Sequence, residues 1–123
     1  MKAAAQIEIA ANAQDVSACL AIAHEVLSQK NVTLPFQCAF ILERACEGVL
    51  DRETWSDTLG KIWTRILDDM CKHCRSKAAL AELDDTFREC LRACMLHGDA
   101  NTARDVSNRP SPPVSWKLAH MTV

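Results

Sequence analysis

The sequence predicts an all-α domain, and three observations carry that prediction. Glycine occurs three times and proline four, with three of the prolines beyond residue 109. Helical apolar spacing recurs through most of residues 15–98, and strand-type alternation is confined to Ile7-Glu8-Ile9. At 123 residues a single hydrophobic core suffices. The expected architecture is a compact bundle of about four principal helices within residues 1–98, including a short N-terminal extension. A polar, proline-containing, flexible tail is expected over residues 99–123.

The first helix runs from about Asp15, a residue suited to an N-cap, to about Lys30. Val16, Leu20, Ala23 and Leu27 line one face, and Cys19, Ile22 and Val26 widen that stripe to half the circumference. A helix this broadly apolar is sandwiched between neighbours or meets a second copy. The second helix opens at Asn31-Val32-Thr33 and runs to about Leu50. Pro35 suits its first turn, where a missing N–H costs nothing. Cys38, Leu42, Ala45, Cys46 and Val49 form its inward face. Phe40 falls on the opposite side among Gln37, Arg44 and Glu47, with Phe36 near its edge.

The third helix, about Arg52 to Arg75, has the clearest period. Leu59, Ile62, Trp63, Ile66, Leu67, Met70 and Cys74 share an arc that Trp55 joins. The opposite face carries Asp57, Lys61, Arg65, Asp68 and Lys72. Its i, i+4 ion pairs contribute about 0.2–0.5 kcal/mol each. Burying a large apolar side chain contributes about 1.5–3 kcal/mol, so the stripe decides the fold. The fourth helix ends at His97-Gly98, a basic last turn followed by glycine. Ser76 caps its start at Lys77, because Ala79, Leu80, Leu83, Phe87, Cys90, Leu91 and Cys94 continue one face without a phase break. Thr86-x-x-Glu89 is a competing capping box that would shorten it. From Asp99 no helical period continues, and Arg109-Pro-Ser-Pro-Pro113 favours an extended polyproline conformation.

Lys and Arg total 14 against 16 Asp and Glu, a net charge of -2. That balance excludes the basic face of a nucleic-acid binder. No window approaches the roughly 18 apolar residues of a membrane span. Glu8 interrupts the apolar start, which also lacks a secretory pattern. The expectation is a cytoplasmic protein with neither a nucleic-acid nor a membrane partner. Seven cysteines, an odd number, fit a compartment where thiols stay reduced.

Cys71-x2-Cys74 and Cys90-x3-Cys94 form the one grouping with the residue types of a chemical site. Thiolates at such spacings ligate metal, with His73 and His97 as substitute ligands, or staple two helices as disulfides. Cysteine also behaves as a small buried hydrophobe, and all seven fall on or near apolar stripes. A turn at Ser76 puts the two pairs at different levels of a helical hairpin. Only a turn near Leu83 to Thr86 would set Cys74 opposite Cys90. Free structural thiols, with no metal and no cofactor, are therefore expected. A thiolate metal-binding or disulfide-stapled hairpin on Cys71, Cys74, Cys90 and Cys94 is the alternative.

No nucleophile elbow, phosphate loop or His-Glu-x-x-His motif accompanies these residues. Cys94 and His97 are i, i+3 neighbours, but a nucleophile needs an accessible thiol of depressed pKa, which a mid-stripe cysteine does not provide. Asp68-Asp69 and Asp84-Asp85 diverge by about 100° on a helix and suit solvated faces. A non-enzyme is expected. What remains is exposed apolar surface: Phe36 and Phe40 on a polar face, Ile22 and Val26 on the flank of the first helix, and Trp116 in the tail. Aromatics exposed in this way anchor protein contacts. The expected function is a small regulator of the anti-activator, inhibitor or adaptor type. It would bind another protein, or itself as a homodimer, through these five residues.

Overall fold

The computed structural model describes residues 2–108. Among these residues the chain is all-α, with six helices and no strands. The helices are α1 (Ala3–Asn12), α2 (Val16–Ser28), α3 (Gln37–Cys46), a long central rod, α6 (Lys77–His97) and α7 (Ala100–Asn108). The rod comprises α4 (Arg52–Trp55), a π-helical segment (Ser56–Gly60) and α5 (Lys61–Lys72), all in helical backbone geometry. The count exceeds the expected four because both ends of the described chain are helical. The proline-containing stretch expected from Arg109 onward lies outside the described residues.

The N-terminal extension is α1. Alanine is the strongest helix former, and Ala3, Ala4, Ile7, Ala10 and Ala11 recur at helical spacing. Ile7 is buried while Ile9 is 58% exposed, so Ile7-Glu8-Ile9 has the period of a helix. Gln14 closes α1 at φ 54, and Gln14 N–H and Asp15 N–H donate back to the carbonyls of Ala11 and Ala10, each at 3.0 Å. That pairing is a Schellman stop. Asp15 then caps α2 by accepting from Ala18 N–H at 3.0 Å. The centre of the buried face of α2 is Cys19, Ala23 and Val26, while Val16, Leu20, Ile22 and Leu27 are half-buried.

Helix α3 starts later and stops earlier than the sequence predicts. The segment before it turns through Cys38 N–H to Pro35 C=O at 3.0 Å, and Leu34 is already buried. After Cys46 the chain reverses at Gly48, whose φ of 75° is left-handed. Val49 is therefore off the inward face and 62% exposed.

In the central rod, Asp51 caps α4 through Thr54 N–H at 2.7 Å. The π-helical segment has a consequence for the two indoles. Trp55 and Trp63 lie eight residues apart, which in a regular α-helix leaves them about 80° out of phase. A π turn absorbs one extra residue, about 100°, and brings both rings onto one side. The rod ends at Lys72, and residues 73–76 turn the chain. Ser76 Oγ accepts from Ala79 N–H at 3.0 Å, so the longer of the two fourth-helix alternatives forms.

Helix α7 lies where no helical period is legible, since only Ala103 and Val106 supply its apolar contacts. Val106 is 1% exposed, so the packed body continues past Gly98. The corner is tied to the rod: Arg52 donates to Gly98 C=O at 2.7 Å, and Asp99 N–H donates to Ser56 Oγ at 2.9 Å. A Cβ on Gly98 would lie 2.8 Å from the Cys94 carbonyl and 3.0 Å from the Trp55 ring, so only glycine fits this approach. Asp99 accepts from Thr102 N–H at 2.8 Å and caps α7.

Helices α1, α2 and α3 pack on one another, α6 and α7 pack together, and the rod lies between the two groups. Helices α3 and α6 both lean on the rod, which leaves a groove between them. No helix among the described residues is long and apolar enough to cross a membrane.

Candidate functional site

The groove between α3 and α6 is built on one carboxylate. Trp55 Nε1–H and Trp63 Nε1–H both donate to Glu43 Oε1, at 2.8 and 3.1 Å. The other oxygen, Oε2, faces His97 Nε2 at 3.8 Å, an ion pair when the imidazole is protonated. The Glu43 side chain is 17% exposed, and the two tryptophans are buried. One carboxylate thus joins α3, the rod and the end of α6. Its ionic hydrogen bonds are of the stronger type, and no buried side-chain nitrogen or oxygen among the described residues lacks a partner.

Above this floor lies a cavity of about 350 Å³, bordered by Phe40, Arg44 and Glu47 on one side and Glu89, Arg92 and Leu96 on the other. Phe40 stands on the rim. Its inner edge meets Trp63 with ring centroids 5.1 Å apart, and Phe36 meets it at 6.1 Å, both edge-to-face. Phe40 as a whole is 36% exposed. Across the groove, Leu96 and Met95 are 55% and 65% exposed, and with Leu91, Arg88 and Arg92 they form a shallow apolar strip along α6. Val49 extends the exposed apolar surface beyond Phe40.

Of the five residues expected to bind a partner, the four that are described do not all gather there. Phe36 and Phe40 are adjacent, and Phe40 lies on the groove. Val26 is a correction: at 2% exposure it belongs to the core, because α2 is covered by α1, α3 and the rod. Ile22 is half-buried and borders a separate cleft between α1 and α2. Trp116 lies outside the described residues. Met95 and Leu96 were open to inference, because the apolar stripe through Leu83, Cys90 and Cys94 leaves them on the far side of α6. Glu43 had no sequence signal, since its two donors come from a different helix.

The cysteines occupy the core. Cys19, Cys38, Cys46, Cys74, Cys90 and Cys94 are buried, Cys71 is half-buried, and no disulfide joins any two of them. With the turn at residues 73–76, Cys74 sits beside it, while Cys90 lies 13 residues into α6, about 20 Å along the axis. The two pairs therefore stand at different levels of the hairpin. No group of three or more His, Cys, Asp or Glu among the described residues is arranged to hold a metal ion.

Burial pushes the Cys46 thiol up to about 11, and the charges of Cys19 and Glu43 add to the rise. The Cys19, Cys38 and Cys74 thiols rise for the same first cause. The Cys94 thiol is instead drawn below its usual value by a hydrogen bond with Cys90, against burial and the Glu43 charge. A lowered thiol becomes a nucleophile only where a reactant can reach it. Cys94 has no exposed surface, and His97 is directed at Glu43.

No protein-family model, curated protein or solved structure matches this chain.

Proposed function

We propose that the chain is a non-catalytic protein-binding module whose docking face is the α3–α6 surface. The observation that carries this proposal is the placing of two exposed large apolar side chains, Phe40 and Leu96, on opposite walls of one groove with a hydrogen-bonded floor, with exposed Met95 beside Leu96 on the adjoining strip of α6. In this mechanism Phe40 and Leu96 grip the apolar side of an incoming helix. Arg44 and Arg92 orient it through charge at the rim, with Arg88 on the adjoining strip. Helix-in-groove contacts of this kind draw their affinity from a few anchors and their register from flanking charges. Glu43, with both indoles bound to it, keeps the floor rigid, so binding needs little reordering. The module acts stoichiometrically, as a regulator or adaptor, in the cytoplasm, where an odd set of reduced thiols is at home.

The test is the size of the particle that carries the chain in a gentle extract of its native host, read on a density gradient. Wild type is expected to sediment above monomer mass, and Met95→Ser/Leu96→Ser is expected to fall to monomer mass with an unchanged thermal melt. These two side chains point outward, so the pair avoids the packing that Phe40→Ser would disturb. Wild type at monomer mass, or a variant that sediments with wild type, would overturn the proposal.

A further inference from the structure

The outer face of α6 carries a pattern that identifies what could sit on it. Ala78, Ala81, Asp85, Arg88, Arg92 and Met95 are all exposed. They follow one another at intervals of three, four, three, four and three residues, the spacing of a coiled-coil seam. Read from the N-terminus, the line is small, small, acidic, basic, basic, large apolar. Its two halves are opposite in size and in charge.

We infer that the α6 side of the docking face, the strip that borders the groove, takes a second copy of this chain, with the two α6 helices side by side and antiparallel; the inference rests on the docking role proposed above. An antiparallel seam that pairs the first position with the last, and so inward, has two-fold symmetry and closes the assembly at a dimer. In that register Ala78 faces Met95 of the second copy, so a large side chain meets a small one. Ala81 faces Arg92 of the second copy, with Glu82 beside it as an acidic partner. Asp85 faces Arg88 of the second copy at the centre, and symmetry repeats each contact. A parallel pairing would set Asp85 on Asp85, Arg88 on Arg88 and Arg92 on Arg92, three like-charge contacts that are each unfavourable. The pattern therefore selects one orientation. The ion pair already present on this face, Arg92 to Glu89 at 3.9 Å, is solvent-exposed on both sides and too weak to hold Arg92 back. Leu91 and Leu96 flank the seam on its two sides, and Leu96 extends its apolar border to the groove.

Charge reversal tests this directly by sedimentation velocity of the purified full chain over a concentration series. Wild type is expected to shift from monomer to dimer as concentration rises. Asp85→Arg alone and Arg88→Asp alone each place like charges at the centre and should weaken the dimer by about tenfold or more. An equimolar mixture of the two variants should recover it. In the mixed dimer the arginine introduced into one chain meets the aspartate introduced into the other, and the two unaltered central residues pair as in wild type. Circular dichroism of each variant alone should match wild type, since both positions are exposed. Wild type that stays monomeric, single variants that dimerise like wild type, or a mixture that stays monomeric would each overturn the inference. A monomeric purified chain that still sediments as a larger particle in host extract would remove self-pairing and leave the docking proposal standing.

Discussion

Replacing Glu43 with leucine tests whether the groove floor is held by its carboxylate. Trp55 and Trp63 are 2% and 1% exposed, and Glu43 Oε1 accepts from both. Leucine removes the acceptor and leaves two buried N–H groups without their partner, at about 1–3 kcal/mol each. The summed cost, about 2–6 kcal/mol, is a large share of the 5–15 kcal/mol typical of a domain. The added apolar burial offsets little, because the glutamate stem is already largely covered. Glu43→Gln keeps an oxygen in place and loses only the ionic component, roughly 1 kcal/mol per bond. Urea unfolding followed by far-ultraviolet circular dichroism at neutral pH measures both variants. The midpoint should fall for glutamine and fall much further for leucine, with the slope unchanged. In a Trp55→Phe/Trp63→Phe background the leucine substitution should cost far less, since the donors are gone. A leucine variant within about 0.5 kcal/mol of wild type, the range of an ordinary surface change, would refute the role given to this carboxylate.

Gly98→Ala should lower stability by about 1–3 kcal/mol, since its Cβ would press on the Cys94 carbonyl and the Trp55 ring; a thermal melt reads this, and an unchanged midpoint would contradict the close approach. Raising the pH from 9 to 11 should weaken the fold. The Cys46 thiol sits at about 11 when folded and 9.0 when free, so its neutral form is favoured by folding. That contribution is complete below pH 9, is lost as pH passes 11, and amounts to roughly 2–3 kcal/mol at most. Urea melts at pH 8 and 11 should show the loss in wild type and a smaller one in Cys46→Ala. A thiol-specific dye at neutral pH should label half-buried Cys71 first, and reach Cys19, Cys38 and Cys46 only after unfolding. Rapid native labelling of Cys46 would contradict its burial.

The parts of the fold legible in the sequence are those where local chemistry and long-range packing agree. Ser76 and the unbroken stripe from Ala79 to Cys94 specify α6, and the cap at Asp15 fixes the start of α2. Helix α1 was hidden because alanine contributes strongly to helix propensity and weakly to an apolar stripe. Helix α7 was hidden because two side chains and three hydrogen bonds at the Gly98 corner hold it. The π turn leaves no mark in composition, yet it determines that both indoles reach Glu43. On the site, exposure of Phe40 followed from its angular position on α3. Val26 was misjudged because periodicity reports an apolar face without reporting how many neighbours cover it.

The most direct test of function by surface contact is site-specific photo-crosslinking in the native host. A photoreactive phenylalanine analogue would replace Leu96 on the docking face or His24 on the exposed side of α2. Light should join the chain at position 96 to another polypeptide, giving a product of twice the chain mass if the partner is a second copy, and should give no product from position 24. No adduct from position 96, or equal adducts from both positions, would contradict the account.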